Sequence, residues 1–151
     1  MSPLVRDALL LFVHLLCIIT LATLLVGELI ILRKSLPPVM VLRMQLVDRW
    51  YGIVAGLVII TGLSLLFFSS KGVLFFARNP VFWIKMALFV TIALLSIPPT
   101  IAYLQWNKQK AADGSIVLDD SEFRRISRFL WTEVSLFVFL PLCATLMANG
   151  I

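Results

Sequence analysis

Four long apolar runs, at residues 8–32, 50–68, 81–104 and 129–148, leave this chain few ways to fold. A helix rises 1.5 Å per residue, so roughly 20 residues cross the ~30 Å hydrocarbon layer of a bilayer. Each run reaches that length. Inside hydrocarbon every backbone N–H and C=O must be satisfied by the segment itself or by a closed barrel, and runs that are continuously apolar rather than alternating read as helices. Composition agrees: 61% of residues are hydrophobic, 14% are charged and the mean hydropathy is +1.04, whereas soluble domains carry roughly a quarter charged residues. The expectation is one all-α domain over residues 1–151, an integral membrane four-helix bundle.

The chain carries 13 Lys and Arg against 8 Asp and Glu, a net charge of +5. In a soluble protein that balance would suggest nucleic acid. Here the basic residues sit in short connections, where they act as topology signals, so the expected partner is the lipid bilayer and no nucleic acid is expected. Arg33, Lys34, Arg43, Arg49, Lys108, Lys110, Arg124, Arg125 and Arg128 follow helices one and three, while only Arg6, Lys71 and Arg78 lie on the opposite side. The positive-inside rule then puts both termini outside and the connections, including 105–128, in the cytoplasm. Trp50, Tyr51, Tyr103, Trp106 and Trp131 would form an inner aromatic belt, with Trp83 at the outer interface. Cys17 and Cys143 fall inside apolar runs and read as packed thiols. The first run is too long for a cleavable signal and carries Glu28.

Breaks and turns divide the runs. Pro37-Pro38 ends the first helix, and residues 39–49 form either an interfacial turn or an early extension of the second helix. Gly52 and Gly56 stand at GxxxG spacing, a face that would admit a second copy as a homodimer or another helix of the bundle. Phe75 and Phe76 in the 69–80 connection are expected at the interface. Pro98-Pro99 should bend the third helix. Asp113-Gly114 reads as a turn, and Asp119 with Glu122 as a capping box opening a last helix from about 120 to 148.

Within the spans the ionisable side chains with a charge at stake are His14, Glu28, Lys85 and Glu133. Burying each costs several kcal/mol unless it finds a partner, water or a task. At 1.5 Å per residue His14 lies about 9 Å from the outer end of its run and Lys85 about 6 Å, while Glu28 and Glu133 lie about 6 Å from the inner ends. His14 and Glu28 are ~40° from alignment on one helix, with Leu21 between them, so that face should turn inward. Lys85 either snorkels to the interface or stands beside His14, where it would attract an anionic group. Glu28 and Glu133 either pair with Arg49 and Arg128 or share a proton or cation between them. His14 is the sole histidine, so it is either a hydrogen-bonded neutral imidazole or an axial haem ligand, with Met86 or Met147 as a sixth ligand. A bis-histidine site would need a dimer. The Glu-x-x-His pairs of a di-metal site are absent.

The stretches LLFVHLLCIITLATLLVGELIIL, VDRWYGIVAGLVIITGLSLLFFSSKG, NPVFWIKMALFVTIALLSIPPT and RRISRFLWTEVSLFVFLPLCATLMANG resemble a family of uncharacterised bacterial four-helix membrane proteins, over most of the chain. More distantly, His14 in helix one and the Trp83–Lys85 opening of helix three, one residue shorter than Trp-x-x-Lys, are similar to the haem-b membrane protoporphyrinogen oxidase and the copper-resistance D membrane domain. Further histidines of the oxidase pattern are missing here. The resemblance implies a multi-pass protein of the bacterial inner membrane. It also implies a cofactor site of His14, Lys85 and Met86, with haem b held by His14 as iron ligand. The alternatives are a small proton-linked transporter or accessory subunit using the buried acidic pair Glu28 and Glu133, and a purely structural membrane protein.

Overall fold

A computed structural model describes residues 2–70, 72–109 and 114–148. Its elements are α1 (Pro3–Ile31), β1 (Ser35–Leu36), α2 (Pro38–Phe68), α3 (Val73–Ala77), α4 (Pro80–Leu95), α5 (Ile97–Lys108), β2 (Ile116–Val117), α6 (Asp120–Phe137) and α7 (Phe139–Ala148). Taken as α1, α2, α4 with α5, and α6 with α7, they give four stretches long and apolar enough to cross a membrane. The four-helix expectation holds.

Local chemistry sets the helix starts. The Ser2 hydroxyl accepts from the Val5 N–H, the Asn79 side-chain amide oxygen accepts from the Val81 N–H, and the Asp119 carboxylate accepts from the Ser121 N–H and hydroxyl. Each satisfies an orphan donor of the first turn. The Ser121 bonds also hold the Asp119 carboxyl below the usual carboxylate range. Pro3, Pro38 and Pro80 each open a helix, where the missing N–H would be unpaired anyway. Residues 39–49 are an extension of α2 rather than an interfacial turn.

Two helices break. The third span divides at Ser96, ahead of Pro98 and Pro99, as expected. The fourth divides at Val138, which the expected single helix did not foresee. Pro141 has no N–H to offer the Phe137 carbonyl four residues back, and its ring crowds that turn.

α1 packs along α2 and α6, α5 packs on α2, and α4 packs on α6 and α7, so the spans form a ring in chain order. At one end β1 and β2 pair antiparallel, Ser35 with Val117 and Leu36 with Ile116, extended by the Leu118 N–H on the Lys34 carbonyl. Lys34 Nζ lies 2.7 Å from an Asp120 oxygen. Gly114 precedes β2 at φ +78°, and a Cβ there would come within 2.9 Å of Pro38 Cγ. Its partner in the expected Asp-Gly turn, Asp113, lies outside the described residues, as do Lys71 and Lys110. At the opposite end Asp7 accepts from the Ser70 N–H and the Ser69 and Ser70 hydroxyls, which ties α1 to the end of α2.

The most deeply buried side chains gather toward the ribbon end: Leu36, Met44, Tyr103, Trp106, Ile126 and Leu130. Elsewhere the surface is a sheath of leucine, isoleucine, valine and phenylalanine facing outward. A Cβ added at Gly52 or Gly56 meets nothing within 4 Å, so among the described residues neither glycine is a point of close helix contact.

Candidate functional site

The inward stripe of α1 comprises His14, Leu21, Leu25 and Glu28, the four buried residues of that helix. It places one polar group in each half of the bundle.

In the half toward the ribbon, four spans converge. Glu28 from α1 and Glu133 from α6 are 3% and 1% exposed. The Tyr103 hydroxyl from α5 donates to Glu28 Oε2 at 3.2 Å, and the Tyr51 hydroxyl from α2 donates to Glu133 Oε2 at a longer 3.4 Å. Both Oε1 atoms are buried without a hydrogen-bond partner. Asp48 accepts from the Thr100 hydroxyl at 2.6 Å, and Gln45 donates to the Tyr103 carbonyl at 2.7 Å. The arginine pairing expected for the acids is not what satisfies them: the described ion pairs are Arg6–Asp7 and Lys34–Asp120. A phenol on a neighbouring helix is a donor that brings no second charge out of water, and the cost of burying an ion pair is thereby avoided.

That same need corrects the inner aromatic belt. Tyr51, Tyr103 and Trp106 are buried, with Trp106 Nε1 donating to Glu122 Oε1 at 2.9 Å. Glu122 therefore serves the indole, not the capping box expected of it. Trp50, Trp131 and Trp83, at 52%, 57% and 60% exposed, face outward. A cavity of about 270 Å³ opens beside this layer at the α4–α5 break, lined by Asp48, Arg49, Tyr51, Ser96 and Thr100 among others.

In the other half, His14, Lys85, Met86 and Met147 line one cavity of about 150 Å³, walled by Ile18, Leu21, Val58, Phe76, Phe82, Phe89, Phe137 and Leu140. Phe76 thus belongs to the cavity wall rather than only to an interface, stacked edge-on with Phe75 at 5.3 Å. His14 is 5% exposed, and its Nδ1 lies 2.8 Å from Thr61 Oγ1. Thr61 Oγ1 also lies 2.7 Å from the Leu57 carbonyl, and when its proton is given there it accepts from the ring. The proton is assigned to Nδ1 by this network, which leaves Nε2 a bare lone pair. Gly62 makes the room: a Cβ there would stand 3.3 Å from His14 Cε1. Lys85 lines the same cavity as His14 and has no hydrogen bond or ion pair among the described residues.

The arrangement presents one acceptor, Nε2, and one cationic donor, Nζ, to an otherwise apolar space. Such a space holds an apolar body and orients it by one or two polar atoms. Among the described residues no three His, Cys, Asp or Glu side chains come together as metal ligands. Thr61 and Gly62 were not singled out from the sequence.

No curated protein and no solved structure matches the chain, and the haem oxidase and copper-resistance domains are thus not among its matches. The family model described as "Predicted membrane protein (DUF2214)" matches residues 6–151, and the chain belongs to that family of membrane proteins.

Proposed function

We propose that this membrane protein binds a lipid-soluble ring ligand of redox character between His14 Nε2 and Lys85 Nζ, with quinones as the ligand class. The observation that carries the reading is the His14 Nδ1–Thr61 bond on the wall of an apolar cavity that Lys85 also lines; with the ring proton on Nδ1, Nε2 is free to accept. A cavity near 150 Å³ lined by Leu, Ile and Phe takes a body about the size of benzene. A quinone ring has that size, and its carbonyl oxygen accepts from Lys85 while a reduced hydroxyl donates to Nε2. A ligand tail would leave toward lipid past the exposed Met86.

Haem b is the second reading, favoured by one feature. A metal-ligating imidazole commonly donates its other N–H to a fixed acceptor, as His14 does to Thr61, and Met86 and Met147 share the cavity. A macrocycle is several times larger than the enclosed space, so α1 and α4 would have to part to admit it.

The same proposal sets the ribbon end toward the cytoplasm of a bacterial inner membrane. Its support is charge: Arg33, Lys34, Arg43, Arg49, Lys108, Arg124, Arg125 and Arg128 gather at that end, against Arg6 and Arg78 at the other.

The test is binding of a short-tailed benzoquinone by the detergent-purified protein, read together with its absorption spectrum. Saturable binding is expected, weakened about tenfold in His14→Ala by loss of one ligand hydrogen bond. Binding unaffected by His14→Ala and Lys85→Gln would overturn the quinone reading. A Soret band that vanishes in His14→Ala would select haem b instead.

A further inference from the structure

On α6, Arg124, Arg125 and Arg128 line a groove of about 500 Å³ against Leu95, the last residue of α4. The groove contains no acidic side chain. Of the carboxylates at the start of α6, Asp119 and Asp120 act on Arg124 but are hydrogen-bonded to Ser121 and Lys34, and Glu122 accepts from the Trp106 indole. Residues three and four apart lie on one helix face, so Ser121, the arginines and Thr132 form a continuous polar stripe along the groove. Phe129 and Leu95 give it an apolar floor.

Position decides what such a groove is for. The arginines lie in the first turns of the fourth span, just before its apolar run begins at Phe129. Leu94 and Trp131, next in sequence to the groove residues Leu95 and Thr132, are exposed. The guanidinium groups therefore stand where the polar start of α6 meets its apolar run, with Leu95 and Phe129 as the apolar floor. Guanidinium pairs with phosphate through two parallel hydrogen bonds, and basic pockets between membrane helices suit anionic headgroups.

We infer that this groove is a binding site for the phosphodiester of an anionic phospholipid, clasped by Arg124, Arg125 and Arg128 with one acyl chain along Leu95 and Phe129. The chemistry recognised is a phosphate oxyanion, which a soluble phosphate shares. Only a lipid also uses the apolar floor.

The full chain in phosphatidylcholine nanodiscs, examined by native mass spectrometry, separates the two sources. Added phosphatidylglycerol should be retained at least tenfold over added phosphatidylcholine. Retention should fall to the phosphatidylcholine level in R124Q/R125Q/R128Q, while R33Q/R43Q/R78Q, which loses the same charge elsewhere, keeps it. On the unaltered protein, retention should drop steeply between low and high salt, so the inference stands or falls even if the triple variant does not fold. Equal retention of the two lipids, or salt-independent retention, overturns it. So does full displacement of phosphatidylglycerol by an equal concentration of inorganic phosphate, which would make the groove a soluble-anion site.

Discussion

At the scale of single residues, each buried acid in this bundle is matched to a phenol on another helix, Glu28 to Tyr103 and Glu133 to Tyr51. A buried acceptor that loses its donor costs about 1–3 kcal/mol. Tyr103→Phe, which keeps the ring and removes the hydroxyl, should therefore lower stability by that amount in denaturant unfolding from detergent. A loss of only a few tenths would mean that the hydroxyl does not satisfy Glu28. The need for partners was legible in the sequence, because charge in hydrocarbon is costly wherever it occurs. The partners were not. Arg49 and Arg128 near the inner ends of the runs looked natural for the acids, whereas the phenols lie 75 and 82 residues away and read as an interfacial belt. Thr61 was missed for a related reason, since a hydroxyl in an apolar run usually bonds its own helix, as Thr61 also does. A signal did exist. An antiparallel hairpin turning near Pro37 pairs residues whose numbers sum to about 75, as Gly27 with Val47 and His14 with Thr61 do.

At the scale of elements, helix starts were written in the sequence by Ser2, Asn79, Asp119 and the prolines that follow or flank them, and helix existence by apolar length alone. The two-residue ribbon was not, because strands that short carry no periodicity and their pairing joins residues about 80 apart in the chain. Gly114 is where the ribbon's geometry depends most on one position. It combines a left-handed φ with a close approach to Pro38, whereas Gly72 has a similar φ of +75° and open space around it. Gly114→Ala should cost about 1–3 kcal/mol for the strained backbone and more for displacing Pro38. Gly72→Ala should cost the backbone share only. Equal melting temperatures for the two variants would show that the Gly114–Pro38 contact carries no weight.

Over the whole molecule, the ring of four spans divides its interior into an acid-and-phenol layer near the ribbon and an apolar cavity with His14 and Lys85 in the other half. Leu21 and Phe89 line both neighbouring cavities and separate them. Fold class was decided by the bilayer's thickness, which any sequence with four such runs must meet. The site was legible only as a set of residues that had to face inward. Which of them meet was set by helix register, and the volume between them by residues such as Gly62, which has no side chain, and Phe89, that look like ordinary packing. The proposed site requires that His14 donate from Nδ1 to Thr61 and offer a bare Nε2 to a ligand. Because His14 is the sole histidine, ¹⁵N NMR of the uniformly labelled protein reads its tautomer without ambiguity. The prediction is a protonated Nδ1 and an unprotonated Nε2 that shifts when a short-tailed benzoquinone is added, with Thr61→Val randomising the tautomer. A protonated Nε2 in the free protein, or an Nε2 signal unmoved by saturating quinone, would contradict it.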